Sequence, residues 1–192
     1  GRFDRFGMVV RHLDAATKAY AQVFGIRQFD LCEIGGRPAA LGGFGSLRIE
    51  LLEGSSGGDV YGEFFDRRGE GMSHAVFEPA RNTSLEQVAQ HASRLGLDTE
   101  TGDGRLNIAS RAQLGGLALA VQSTAPHILG QRHFNYPARL GLQKLFHIGS
   151  VVRDRELAIA GYQRLLGIDE FLRMELDTDH GLLVWIDGKP AQ

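Results

Sequence analysis

A stretch of 21 residues near the start of the chain returns near its end. FGMVVRHLDAATKAYAQVFGI at 6–26 lies without a gap over IGSVVRDRELAIAGYQRLLGI at 148–168. Eight positions are identical: Gly7 and Gly149, Val9 and Val151, Val10 and Val152, Arg11 and Arg153, Ala16 and Ala158, Tyr20 and Tyr162, Gly25 and Gly167, Ile26 and Ile168. A fainter third copy, HAVFEPARNTSLEQVAQHASRLGL, starts at His74. Repetition at this scale means one supersecondary unit used several times, each copy needing a neighbour to cover its apolar face.

Every copy has the same grammar: a short β-branched run, a polar turn, apolar residues three to four apart, then Leu or Phe before Gly. In the first, Leu13, Ala16, Tyr20 and Val23 share a helical face, Asp14 is a candidate N-cap, and Gly25 suits the left-handed residue after the helix. In the middle copy, which starts at His74, Thr83 and Glu86 have capping-box spacing. Glycine, 26 of 192 residues, is about twice its usual ~7% share and punctuates short apolar runs, as turns between antiparallel strands do. Strands are expected at 28–34, 37–43 and 46–52, then at 98–101, 105–111 and 116–122, with 170–177 and 181–187 in the incomplete third unit. The Gly102, Asp103, Gly104 step reads as a hairpin turn between two of these.

The predicted fold class is α+β: paired βαβββ units forming a curved, partly closed mixed sheet. Residues 1–122 form one domain from units 1–55 and 72–122, residues 123–143 a linker, and residues 144–192 a partial third unit. Two such units enclose a cleft, which is the expected binding site.

Twenty-one Lys and Arg against 23 Asp and Glu leave a net charge of −2, so no basic field exists for nucleic acid or an anionic membrane surface. No apolar run reaches the ~18 residues of a membrane span. One cysteine, Cys32, cannot form an internal disulfide. It has no flanking cation or helix start to activate it and reads as an inert strand residue. With a single cysteine and no signal-like segment, the chain is expected in the cytoplasm.

The chain resembles the vicinal oxygen chelate superfamily, which includes glyoxalase I, methylmalonyl-CoA epimerase, bleomycin-resistance proteins and extradiol dioxygenases. IELLEGSSGGDVYGEFFDRRGEGMSHAVFE at 49–78 is similar to the epimerase pattern of IELLEP, a short helix, then RGEGLHHIAFE. The resemblance implies four ligands for a divalent ion, two from each unit. Carried over, they fall on Arg5, Glu50, His74 and Leu119, so only Glu50 and His74 remain as metal or catalytic candidates. Three protein ligands are the usual minimum for a catalytic ion, and Arg5 brings a permanent charge to the ion's place. The expectation is therefore no cofactor in residues 1–122, with the Arg5 guanidinium paired to Glu50 near His74 and available to substrate.

In the third unit LFHIGSVVRD restores a first-strand His at His147, as in extradiol dioxygenases, whose second domain holds iron. A divalent metal thus remains possible there. Arg67 and Arg68 lie beside the cleft entrance, where CoA phosphates would approach; a solvated helix end is the plainer reading. Three functions stay open: a metal-free small-molecule-binding domain, an isomerase, lyase or ring-cleaving dioxygenase, and an oligomerisation module. The apolar strands of the half-unit, with Val184, Trp185 and Ile186, call for a cover, supplied either by a longer two-domain chain of which this is a part or by a homodimer.

Overall fold

The computed structural model describes residues 1–109, 114, 116–137, 140, 152–168 and 170–171, together with the backbone of three further strands between 173 and 190. The first unit runs β1 (Arg2–Val10), α1 (Leu13–Phe24), β2 (Gln28–Ile34), β3 (Arg37–Phe44) and β4 (Leu47–Glu53). After α2 (Val60–Arg68), the second runs β5 (Gly71–Glu78), α3 (Leu85–Arg94), β6 (Thr99–Gly102), β7 (Arg105–Ile108) and β8 (Ala118–Gln122). Of the third, the described residues include α4 (Arg155–Leu166).

The strands of the first two units form one mixed sheet, in the order β6-β7-β8-β5-β1-β4-β3-β2. β1 and β5 meet antiparallel at its centre, and each is flanked by its own unit's last strand in parallel, β4 or β8. The α+β class and the curled sheet of paired βαβββ units are what the repeat implied. A ninth strand, β9 (Ile128–His133), pairs antiparallel with β2 at the sheet edge, so part of the stretch read as a linker extends the first unit's sheet. β10 (Arg173–Asp177), β11 (Gly181–Ile186) and β12 (Lys189–Pro190) form a separate small sheet with β11 central. Val184, Trp185 and Ile186 thus lie on a strand paired on both sides.

Strand alternation sorts the core. On the convex face Phe6, Ala75, Leu106, Leu119 and Val121 pack with Ala92 of α3 and, from α4, Tyr162 and Leu165. Val10, Ile49 and Leu51 pack with Leu13 and Ala21 of α1. On the concave face Val9, Cys32, Ile34, Leu41 and Leu52 pack under Tyr61, Phe64 and Phe65 of α2. Tyr162 ties α4 to the second unit by donating to the Leu114 carbonyl at 2.9 Å.

Two expected caps are displaced. His12, not Asp14, is the N-cap of α1, and Asp14 sits in the first turn, where its charge still favours the helix dipole. The capping box of α3 uses Ser84 and Gln87 rather than Thr83 and Glu86. Gly25 takes the left-handed position after α1, φ 72° and ψ 28°, as read from the sequence. Among the described residues no helix is long and apolar enough to cross a membrane.

Candidate functional site

The concave face carries a buried polar cluster where the two units meet. Arg5 and Gly7 come from β1, Glu50 from β4, His74 from β5, Arg105 and Asn107 from β7, and Gln122 from β8. α2 lays Tyr61 across them. Two bulges aim these groups. The extra residue Asp4 turns Phe3 to the convex side, where it meets Phe6 and Phe77, while Arg5 keeps to the concave side. The other bulge makes Ser73 the extra residue between the Gly7–His74 and Met8–Met72 pairs. Gly7 opposite His74 is required by space: a Cβ there would lie 1.9 Å from the imidazole.

Glu50 is the hub. Arg5 donates to its Oε2 from Nε at 2.8 Å and stands at 2.7 Å through Nη2. Arg105 straddles the carboxylate, Nη1 to Oε2 and Nη2 to Oε1 at 3.0 Å each. His74 Nε2 is 2.9 Å from Oε1. An ionised carboxylate only accepts, so Nε2 carries the proton and Nδ1 accepts from the Ser73 hydroxyl at 2.7 Å. The remaining donors are used as well. Arg5 donates to Asp4 and Gln122. Arg105 donates to the Tyr61 hydroxyl at 2.7 Å and to Asn107 at 3.1 Å, and Tyr61 in turn donates to Asn107 at 2.7 Å. Glu50 and His74 are fully buried.

Burial alone would raise the Glu50 carboxyl, but Arg105, His74 and Arg5 together hold it well below the usual carboxylate range. Burial lowers His74 and the two guanidiniums add to this, outweighing the Glu50 hydrogen bond, so the imidazole stays neutral. Burial opposes the charge of Arg105, and Glu50 more than restores it. Burial raises the Tyr61 phenol, so it remains a donor. Cys32 is buried, its thiol pushed up to about 11 chiefly by that burial, and it is unreactive at neutral pH.

The structure brings Arg5, Glu50 and His74 together. It does not bring Leu119. Leu119 pairs with Ala75 in register and both belong to the convex core, so the concave positions of β8 are Ala118, Ala120 and Gln122. The carry-over of a lost ligand onto Leu119 is thus off by one pleat; none of the concave residues is a carboxylate. His147 lies outside the described residues. Arg105, Tyr61, Asn107 and Gln122 were missed. The signal available was the alternation in RLNI, which places Arg105 and Asn107 on one face between Leu106 and Ile108.

These side chains do not fit a divalent ion. Both oxygens of Glu50 already accept from guanidinium donors, and His74 Nε2 donates rather than offering a lone pair. Two fixed positive charges stand within 3.0 Å of the carboxylate, which a cation would have to displace. Among the described residues no group of three or more His, Cys, Asp or Glu is placed to hold a metal.

A second ion pair fixes α2 over the cluster. Arg37 donates to Asp59 at 2.7 Å and 2.9 Å, and Asp59 caps α2 by accepting from the Tyr61 and Gly62 amides at 3.0 Å and 2.7 Å. Beside α2 opens a cavity of about 680 Å³ whose wall includes Val60, Tyr61, Phe64, Ser73, Ala118 and Arg153. Arg67 and Arg68 are on its rim.

No protein-family model matches the sequence, and no curated protein matches it significantly. Solved structures do resemble it. Methylmalonyl-CoA epimerase from Mycobacterium tuberculosis is 21% identical at a TM-score of 0.50, over 65% of this chain and 89% of that one. A Streptomyces coelicolor methylmalonyl-CoA epimerase variant in complex with 2-nitronate-propionyl-CoA is 20% identical at 0.52, over 65% and 96%. A xylose isomerase-like TIM barrel/4-hydroxyphenylpyruvate dioxygenase fusion protein is 10% identical at 0.60, over 95% of this chain and 29% of that one. The fold is therefore the vicinal oxygen chelate fold of these neighbours, a curled mixed sheet of paired βαβββ units.

Proposed function

We propose that residues 1–122 form a vicinal oxygen chelate domain that binds a small molecule without a divalent ion, with Arg5 and Arg105 holding Glu50 in the place where metal-using members hold a cation. The observation that carries this reading is the Glu50 carboxylate, saturated by two guanidiniums and His74. The cavity beside α2 has a volume in the ~300–1,000 Å³ range of small-molecule sites, with a wall that mixes apolar side chains such as Val60 and Phe64 with acidic and basic ones, Arg67 and Arg68 among them. The epimerase complex with an acyl-CoA analogue makes acyl-CoA compounds the first class to screen, in a protein of the cytoplasm.

The test is metal uptake. The chain is dialysed against manganese, cobalt, nickel, zinc and ferrous iron in turn, and its metal content is measured. Less than a tenth of an equivalent depending on Glu50 is expected, on the order of background for a site with only two candidate ligands. One ion per chain that is lost in Glu50→Gln would overturn the reading and return epimerase or glyoxalase chemistry through Glu50 and His74.

A second reading is favoured by the dioxygenase fusion protein, which matches 95% of this chain. In it residues 1–122 are the metal-free first domain of a dioxygenase, and the unit at 144–192 begins a metal-bearing second one. An ion that survives Glu50→Gln and is lost in His147→Ala supports this reading over the first.

A further inference from the structure

We propose that Ser73 is a nucleophile for acyl transfer, oriented by His74 and Glu50 and presented to the cavity beside α2. Three independent features of the structure converge on it. Ser73 is the extra residue of a β-bulge, a device that re-aims a side chain out of strict alternation. Its Oγ lies 2.7 Å from His74 Nδ1, and His74 Nε2 lies 2.9 Å from Glu50 Oε1. This is a hydroxyl, an imidazole and a carboxylate in hydrogen-bonded series, the arrangement that activates a serine whatever the fold around it. Ser73 is also on the wall of the 680 Å³ cavity, with Phe64 and Ala118 as apolar neighbours.

The fitting substrate class is a small carboxylic ester or thioester. Ser73 Oγ attacks the carbonyl carbon and its proton passes to His74 Nδ1. When the tetrahedral adduct collapses, the bond to the alcohol or thiol breaks and that group takes the proton from His74. Water, deprotonated by the same nitrogen, then releases the acid and regenerates the serine. Arg68 and Arg153 line the same cavity without a hydrogen-bond or ion-pair partner among the described residues, and are the cations assigned in this proposal to the developing oxyanion. Glu50, clamped by two arginines, acts as a positioning residue: it fixes the tautomer that leaves Nδ1 free to accept.

The proposal uses the cavity of the preceding reading, but its test is separate, because labelling can fail in a chain that takes up no metal. The full chain is treated with a biotinylated fluorophosphonate and examined by intact mass and peptide mapping, with p-nitrophenyl butyrate hydrolysis followed in parallel. One phosphonyl group per chain on Ser73 is expected, absent from Ser73→Ala, with ester turnover down about 100-fold in a folded His74→Gln. No adduct in the folded wild type, an adduct mapping elsewhere, or unchanged turnover in Ser73→Ala would overturn the proposal. If either variant fails to fold, the mapped site in the wild-type chain decides.

Discussion

Glu50 is a charge that this fold can bury only because Arg5, Arg105 and His74 surround it, and that dependence has measurable consequences. Glu50→Gln removes the charge and leaves two guanidiniums buried against a neutral amide. Breaking a buried ion pair from one side costs about 3–5 kcal/mol, and urea unfolding should show a loss of that size; a loss below about 1 kcal/mol would mean that Arg5 and Arg105 are not held by Glu50. Acid should act in the same direction. The Glu50 carboxyl sits well below its ordinary range in the folded chain and the buried His74 below its ordinary 6.5. The unfolded chain therefore binds protons first as pH falls, so stability is full above about 6.5 and declines toward acid as His74 and then Glu50 are protonated on unfolding. Melting temperature followed from pH 8 to pH 4 should fall throughout the acid side; a flat profile between about 7 and 5 would contradict a neutral, buried His74. Arg5, Glu50 and His74 were readable because each lies within a stretch with a family-like pattern. Arg105 was not, because nothing local distinguishes an arginine that crosses a sheet to reach position 50 from one that points to solvent.

At the scale of elements, α2 is what closes the concave face. Its average apolarity is low, and it stays in place through Tyr61, Phe64 and Phe65 on one side and the Asp59 cap tied to Arg37 on the other. Asp59→Ala removes both the cap and the acceptor of a mostly buried arginine. A cap alone is worth ~1 kcal/mol and the ion pair adds to it, so hydrogen exchange at the amides of α2 should speed up more than at α3; equal protection of the two helices would show that Asp59 does not anchor α2. The helices themselves follow from apolar spacing, and strands β2 and β3 fall where Gly-punctuated runs placed them. The errors are of one kind. Asp14 and Thr83 satisfy the local rule for an N-cap, but neighbouring residues take the position, because docking of the apolar face sets where each helix begins. Leu119 is the same error in a strand: one step of alternation exchanges cleft for core.

For the whole molecule the governing constraint is that no βαβββ unit can cover its own sheet. The first two units solve it by meeting along β1 and β5. The third unit contributes α4, whose Tyr162 and Leu165 lie on the convex core of the second unit, and a small sheet of its own. Self-pairing of that unit predicts a dimer by size-exclusion mass measurement at micromolar concentration; a clean monomer would remove that option. Among the described residues β9 is the outermost strand on one edge of the large sheet, with Ile128 and Leu129 exposed. The duplicated architecture was legible in the chain because a repeat and its periodicities are local patterns, preserved in order along the polypeptide. The character of the cleft was not, since it depends on residues 5, 50, 74, 105 and 122 arriving on one face of one sheet. Charge balance at such a point is a property of distances between strands, and those distances exist only after the units have paired.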